Sequence, residues 1–108
     1  MSLRAALILA LACLAAAAHA GDGDVAAGRQ KAAACAVCHG PLGLATLPDA
    51  PNLAGQPAIY LAAQLRAYRG GTRKHEVMTL MAKPLSDADI NNLAAWYASL
   101  KVQVQPVP

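Results

Sequence analysis

The chain has 108 residues, which is enough for a single domain. It contains nine Lys or Arg residues and six Asp or Glu residues, so it is only mildly basic. Nucleic-acid binding is set aside, because it needs a stronger and more continuous basic stripe. Hydrophobic residues make up 56% of the chain, but aromatic residues only 4% and there is no Phe, so any core built by the polypeptide alone is thin.

The first 20 residues predict a secretory signal peptide. Arg4 makes a short basic start, an apolar run extends from Leu7 to Ala18, and Ala18-His19-Ala20 has the small-x-small form of a cleavage site. The apolar run is too short to span a membrane comfortably. Cleavage after Ala20 leaves 108 − 20 = 88 residues, for which we expect a periplasmic location and no transmembrane segment.

The first helix of the mature chain is predicted from Val25 to Ala33, because Asp24 before it is a favoured N-cap residue. Gly28 lies inside this helix, where glycine costs about 1 kcal/mol relative to alanine. A glycine retained there indicates either simple tolerance or a close helix crossing that admits no side chain.

Directly after this helix comes Cys35-Ala36-Val37-Cys38-His39, which allows three interpretations. A structural zinc site needs four closed ligands, but the mature chain has no second Cys or His pair and His75 alone cannot complete the set. A thioredoxin-like dithiol belongs to a chain of alternating strands and helices, and period-two stretches are almost absent here. The third interpretation is covalent haem attachment, for which C-x-x-C-H is the signature.

The physical logic of haem attachment fits the spacing. Cys35 and Cys38 can each add to one vinyl group of the same haem, and the adjacent His39 places a ring nitrogen on the iron. An exported protein also keeps its thiols outside the reducing cytosol. The sequence therefore predicts one covalently attached haem.

Two further helices follow, each after a long loop. A loop rich in Gly and Pro precedes Pro57, which suits the first position of the second helix, and Gly70-Gly71 ends that helix. Ser86 and Asp89 form a capping-box pattern at the start of the third helix. The apolar faces are Leu61, Leu65 and Tyr68 on the second helix, and Ile90, Leu93, Tyr97 and Leu100, with Trp96 beside them, on the third.

The loops predicted over residues 40–56 and 72–85 are too long for a compact bundle unless something else organises them. A chain of fewer than about 100 residues also rarely buries enough surface alone. A large, flat, apolar cofactor covered by the loops answers both problems. Residues 102–108 are predicted to form a loose tail.

A second axial ligand for the iron must come from the loop before the last helix. Lysine is a poor choice, because it normally carries a proton at neutral pH and must lose it to bind iron. His75, between charged residues, is read more simply as a surface residue. The candidates from the residues alone are Met78, Met81, His75, Lys74 and Lys83.

Three stretches carry a family resemblance: "AGRQKAAACAVCHG", "PNLAGQPAIYLAAQLRAYRGG", and Met78 followed by "KPLSDADINNLAAWYASL". The mature chain resembles the class I c-type cytochromes, of the small bacterial c4/c553-like kind whose dihaem members carry two such domains in tandem. The resemblance implies an all-α cytochrome c fold over residues 21–101, with three main helices and long loops wrapped around one haem c.

The resemblance also implies roles for individual residues. It makes Cys35 and Cys38 the covalent haem attachments and His39 the proximal iron ligand. The Pro51 carbonyl is expected to accept a hydrogen bond from the His39 ring, and Gly28 is expected to face Trp96 where the first and last helices cross. The second axial ligand in the family lies seven residues ahead of the leucine at position 85, which favours Met78, with Met81 as the runner-up.

The function expected from these features is that of a periplasmic monohaem electron carrier and not of an enzyme, because both axial positions of the iron are filled. One alternative is a haem-bearing subunit of a periplasmic dehydrogenase or sulfur-oxidising enzyme, and another is a haem sensor. Expected partners are periplasmic or membrane-bound redox proteins. They would dock at a basic cluster comprising Arg66, Arg69, Arg73, Lys74 and Lys83.

Overall fold

The computed structural model describes residues 23–108, and the predicted signal peptide lies outside them. The described part is all-α and contains no strand. None of its helices is long and apolar enough to cross a membrane. Its helices are α1 (Val25–Lys31), α2 (Ala36–His39), α3 (Ala58–Gly70), α4 (Met78–Ala82) and α5 (Asp87–Ser99), with a 3-10 turn at Ala32–Ala34.

Helices α1 and α5 cross at very short range. A Cβ atom on Gly28 would lie 1.9 Å from the backbone oxygen of Asn92 and 2.8 Å from the Cβ of Trp96. Any side chain there would overlap the backbone of α5, so this glycine is required by packing and the expected contact with Trp96 is confirmed. Asp24 joins the two helices further: its side chain caps α1 through the Ala27 N–H at 2.9 Å, and its own N–H donates to Asn92 Oδ1 at 2.8 Å.

The core lies between α1, α3 and α5 and confirms the predicted apolar faces. Ile90 and Leu93 of α5 are 0% and 2% exposed, and Leu61 and Tyr68 of α3 are buried opposite them. Three of the eight residues in the central cluster are alanine, so little apolar volume is buried per residue. The cluster comprises Ala32, Leu61, Ala62, Ile90, Leu93, Ala94, Trp96 and Tyr97.

The predicted starts and stops of α3 and α5 are close to those observed. Ser86 and Asp89 form the full capping box, with both bonds at 3.0 Å. Pro57 is the cap of α3 and not its first residue, and Gly71 ends that helix in the left-handed region at φ 84°. Local chemistry decides these boundaries, so they could be predicted from neighbouring residues.

Two predicted boundaries differ from the structure. The first helix ends at Lys31 and continues as the 3-10 turn, instead of running to Ala33. The loop predicted over residues 72–85 contains the short helix α4. Helix α4 was not predicted from the sequence because Val77, directly before it, is not a capping residue. As described below, the side chain of His75 caps this turn. Residues 101–108 form no helix or strand and are exposed.

Candidate haem-binding site

The C-x-x-C-H segment forms a single helical turn. The N–H of His39 donates to the Cys35 carbonyl at 2.9 Å, and the N–H of Gly40 donates to the Ala36 carbonyl at 3.0 Å. Residues three apart on a helix are neighbours on one face, so Cys35 and Cys38 point to the same side of the turn. Both thiols are free and half-buried. The turn therefore presents two thiols at the spacing that attachment to one haem requires.

His39 is buried and its ring is held in one orientation. The side chain is 6% exposed, and Nδ1 lies 2.8 Å from the carbonyl oxygen of Pro51. An Nδ1–H that donates to this carbonyl leaves Nε2 unprotonated, which is the usual arrangement for a histidine that binds a metal. The expected contact with Pro51 is confirmed.

The loop after His39 is folded back on itself, and this folding brings Pro51 to the histidine. Gly43 adopts a positive φ of 74°, and its carbonyl accepts the N–H groups of Leu53 and Ala54 at 2.8 and 3.0 Å. A Cβ on Gly43 would lie 2.9 Å from the Tyr97 ring. The loop thus packs directly onto α5, and only glycine allows both the conformation and the contact.

Tyr97 contributes a buried hydroxyl that the sequence analysis assigned only to the core. The side chain is 4% exposed and its oxygen has no hydrogen-bond partner within residues 23–108. It lies beside Cys35, and burial raises the pKa of the Cys35 thiol. Burial likewise raises the pKa of Tyr97. A buried tyrosine hydroxyl normally has a hydrogen-bond partner. The position of Tyr97 on the apolar face of the last helix, where its hydroxyl would need such a partner, was therefore the sequence feature that could have indicated a role at the site.

Several apolar side chains of the two long loops remain uncovered. They come from the loop after His39 and from the segment around α4, and they are each 39% to 68% exposed. Isolated exposed apolar residues are ordinary, but six large ones in two segments indicate a missing apolar partner. These residues are Leu42, Leu44, Leu47, Val77, Leu80 and Met81.

Together these features fit a haem. The turn offers two neighbouring thiols and a buried histidine with a free Nε2. The Tyr97 hydroxyl beside Cys35 has no partner among residues 23–108, and the two long loops expose apolar side chains. No group of three or more His, Cys, Asp or Glu residues that could hold a bare metal ion exists among residues 23–108. The donor set suits iron held in a porphyrin.

The candidates for the second axial ligand lie on or near α4. Met78 is the first residue of this helix and is half-buried, whereas Met81 lies one turn later and is 39% exposed. His75 is already occupied: its Nδ1 accepts the N–H groups of Val77 and Met78, both at 3.2 Å. A ring nitrogen that accepts is unprotonated, so the proton sits on Nε2, which then has no lone pair for iron.

The basic cluster is less free than its charge suggests. Arg66 donates to Asn91 at 2.7 Å, and Arg69 binds Asp87 at 2.6 Å and holds the pKa of that carboxyl below its usual range. Arg73 donates to Gln64 at 2.7 Å and lies over the Tyr68 ring. Lys74 and Lys83 make no ion pair within the part of the chain described.

Comparison with known proteins settles the family. A family profile described as cytochrome c matches residues 25–101, which include every residue of the site described above. The chain belongs to the cytochrome c family.

Individual relatives agree with this assignment. The chain is similar to cytochrome c-554(548) of Halomonas halodenitrificans, with 49% identity over 80 residues that cover 71% of this chain and 96% of that protein. It is 45% identical over 103 residues to the thiosulfate dehydrogenase electron acceptor of Thiomonas intermedia, covering 94% of this chain and 47% of the relative. Reduced cytochrome c4 from Pseudomonas stutzeri has a similar structure, with a TM-score of 0.71 and 41% identity over 76% of this chain and 48% of that one.

The cytochrome therefore spans nearly the whole of one relative and about half the length of the other two proteins. Its all-α fold and its cofactor, haem c, are those of the family, and it is a monohaem electron carrier. A single C-x-x-C-H in the sequence provides for one haem.

Proposed function

We propose that this cytochrome carries single electrons between redox proteins in the periplasm, with Cys35 and Cys38 as the haem attachments and His39 and Met78 as the axial iron ligands. The observation that carries the proposal is the 2.8 Å contact between His39 Nδ1 and the Pro51 carbonyl. It holds the ring in the tautomer that leaves Nε2 for iron, beside two thiols on one face of the same turn.

Bound haem supplies an iron that alternates between the ferric and ferrous states, at a potential set by its axial ligands and surroundings. The chain's own residues supply the rest. Cys35 and Cys38 hold the group by two thioether bonds, and the Pro51 carbonyl keeps the His39 ring from rotating. The loop packed on Tyr97 limits the access of water to this side. A ring and a loop held by contacts within the protein favour fast electron transfer, because little has to rearrange when the charge of the iron changes.

Met78 as the second ligand is supported by its surroundings. It is the first residue of α4 and is half-buried. The competing residue, His75, accepts backbone N–H groups at Nδ1 and therefore carries its proton on Nε2, so neither ring nitrogen is available to iron. With both axial positions filled there is no open position for a substrate. We therefore expect electron transfer without catalysis.

Periplasmic location is supported by residues 1–20 and by the thiols that haem attachment uses. The signal-peptide pattern predicts export. Covalent attachment of haem to the two thiols also fits a compartment outside the reducing cytosol.

A second candidate function is that of the electron-accepting partner of a thiosulfate-oxidising enzyme. Similarity to the Thiomonas intermedia thiosulfate dehydrogenase electron acceptor extends over 94% of this chain and supports it. Mixing the oxidised cytochrome with a purified thiosulfate dehydrogenase and thiosulfate would test it. Rapid reduction of the cytochrome supports this role, and reduction no faster than with enzyme-free thiosulfate contradicts it.

Optical spectra of the purified protein, oxidised and reduced, test the main proposal. We expect the sharp bands of a c-type haem that stays with the polypeptide after denaturation, together with the weak band at the near-infrared edge that marks Met-ligated ferric haem. Haem that extracts into acidic organic solvent would overturn the covalent attachment. Rapid carbon monoxide binding to the reduced protein at neutral pH would instead favour a sensor.

Docking through the basic cluster is tested by salt. If the cluster attracts acidic partners, the bimolecular transfer rate falls as the screening length shrinks from about 10 Å at 0.1 M to about 3 Å at 1 M salt. Because the arginines are engaged within the protein, Lys74→Glu with Lys83→Glu should slow transfer most. Lys101→Glu, directly before the C-terminal tail, is the control with the same type of charge change. A rate that is indifferent to salt in the parent would remove the cluster from the docking surface.

A further inference from the structure

His75 makes the contacts of a helix N-cap, although histidine is not among the favoured capping residues. Its carbonyl accepts the N–H of Thr79 four residues on, at 3.0 Å, which is the first bond of a helical turn. Its Nδ1 accepts the N–H groups two and three residues on, from Val77 and Met78, both at 3.2 Å. Favoured N-cap side chains accept from these same positions.

The cap is reciprocal. The backbone N–H of His75 donates to the hydroxyl oxygen of Thr79 at 3.0 Å, so two side chains and three backbone N–H groups close one turn. This arrangement parallels the capping box, in which the residue three positions after the cap bonds back to it. The turn explains why α4 exists in a segment without Ser, Asp or Asn before it. It also means that the backbone N–H of Met78 is held by a side chain of the same loop.

We propose that His75 is a positioning residue for the second axial ligand: its ring locks the backbone at Met78 and thereby holds the thioether on the iron. The inference rests on the proposed ligation by Met78. A thioether sulfur competes with added ligands, such as imidazole, for the same position on the iron. The apparent affinity for the added ligand therefore depends on the fraction of time that the loop holds the sulfur in place. A loop that opens more often gives a competing ligand more access.

The size of the effect follows from capping. Loss of an N-cap side chain typically costs about 1 kcal/mol, which corresponds to about a fivefold shift in an equilibrium. The test is the apparent affinity of the oxidised protein for imidazole, which can bind only when the second ligand leaves. We expect His75→Ala to bind imidazole about fivefold more tightly than the parent, with the near-infrared-edge band weakened but still present at low imidazole.

His75→Asn is the rescue variant. The Oδ1 of asparagine is separated from Cα by the same number of bonds as the Nδ1 of histidine, and asparagine is a strong N-cap residue. It should return the imidazole affinity to within about twofold of the parent. Glu76→Ala is the matched control in the same loop, because no hydrogen bond or ion pair of that side chain is present in the structure, and it should leave the affinity unchanged.

Each outcome bears on one claim. If the parent lacks the near-infrared-edge band, ligation by methionine is wrong and the positioning role falls with it. If the parent has the band but His75→Ala and the parent bind imidazole equally, the positioning role alone is wrong. Should His75→Ala fail to fold, Thr79→Val removes the reciprocal bond from the same turn, and imidazole affinity that stays at the parent value in this variant would also overturn the proposal.

Discussion

The helix crossing of α1 and α5 and the two haem loops, residues 40–56 and 72–85, are built in opposite ways. At the crossing, Gly28 brings two backbones into contact over a core in which Ile90 and Leu93 are almost completely buried. The haem loops are held by local hydrogen bonds, such as those from the Leu53 and Ala54 N–H groups to the Gly43 carbonyl, but they expose six large apolar side chains. The polypeptide completes the first region by itself, whereas the second needs the cofactor.

This difference shows how the alanine-rich residues 23–108 can fold. The central cluster is too small to account for the packing of both loops, and a domain of this size has little stability to spare. The haem takes the place of a second core. Removing it should therefore affect the whole molecule, whereas changes at the crossing should affect stability without changing the haem.

The largest effect is expected from replacing both attachment residues. Cys35→Ser with Cys38→Ser removes the covalent links, and we expect a chain that is largely unfolded, because the haem loops then lose their apolar partner. Circular dichroism and thermal melting measure this. The single variant Cys38→Ser keeps one link and should retain a cooperative transition. A cooperative melt of the double variant near that of the parent would show that the helical half folds without haem.

The next effect concerns the ligand in the second haem loop. Met78→Ala should abolish the near-infrared-edge band of the oxidised protein and open the iron to carbon monoxide in the reduced one. Met81→Ala, three residues later on the same short helix, should keep the band, because we expect this residue only to pack near the ring, as methionine commonly does. Loss of the band in Met81→Ala alone would reverse the assignment.

At the helix crossing, Gly28→Ala should reduce stability by about 1–3 kcal/mol, the usual cost of overpacking, or more because the clash is with backbone. The matched control is Gly70→Ala near the end of α3, where an added Cβ meets nothing within 4 Å. That change should be neutral or stabilising by about 0.5–1 kcal/mol. Chemical denaturation measures the free energy of unfolding, and visible absorption recorded on the same samples reports haem ligation separately. Equal effects of the two variants would mean that the crossing is not tight in solution.

The smallest effect is expected at Tyr97, which joins the two regions through its contacts with Gly43 and Cys35. Tyr97→Phe removes the hydroxyl but keeps the ring. If that hydroxyl is unpaired in the folded protein, its loss is neutral or stabilising, since an unsatisfied buried group costs about 1–3 kcal/mol. If it bonds to the haem or its thioether sulfur, stability falls and the reduction potential shifts. Melting and potentiometry on the same samples distinguish the two cases.

Sequence reasoning worked where neighbours along the chain decide the outcome. The caps at Asp24 and Ser86, the stop at Gly71 and the apolar faces of α3 and α5 were predicted, because capping and periodicity act within a few residues. The haem attachment could also be predicted, since the C-x-x-C-H chemistry lies within five consecutive residues. The predicted ligand Met78 remains a prediction that rests on spacing and family resemblance.

Only the tertiary structure decided the features that depend on residues distant in sequence. The need for glycine at position 28 comes from Asn92, and α5 packs the Tyr97 hydroxyl beside Cys35 and the loop at Gly43, with no hydrogen-bond partner among residues 23–108. Spacing along the chain does not encode such distances. The cap formed by His75 could not be predicted for a local reason. Its ring nitrogen accepts the backbone N–H groups that a side-chain oxygen usually accepts at a helix N-terminus, and only the three-dimensional structure shows which nitrogen accepts them.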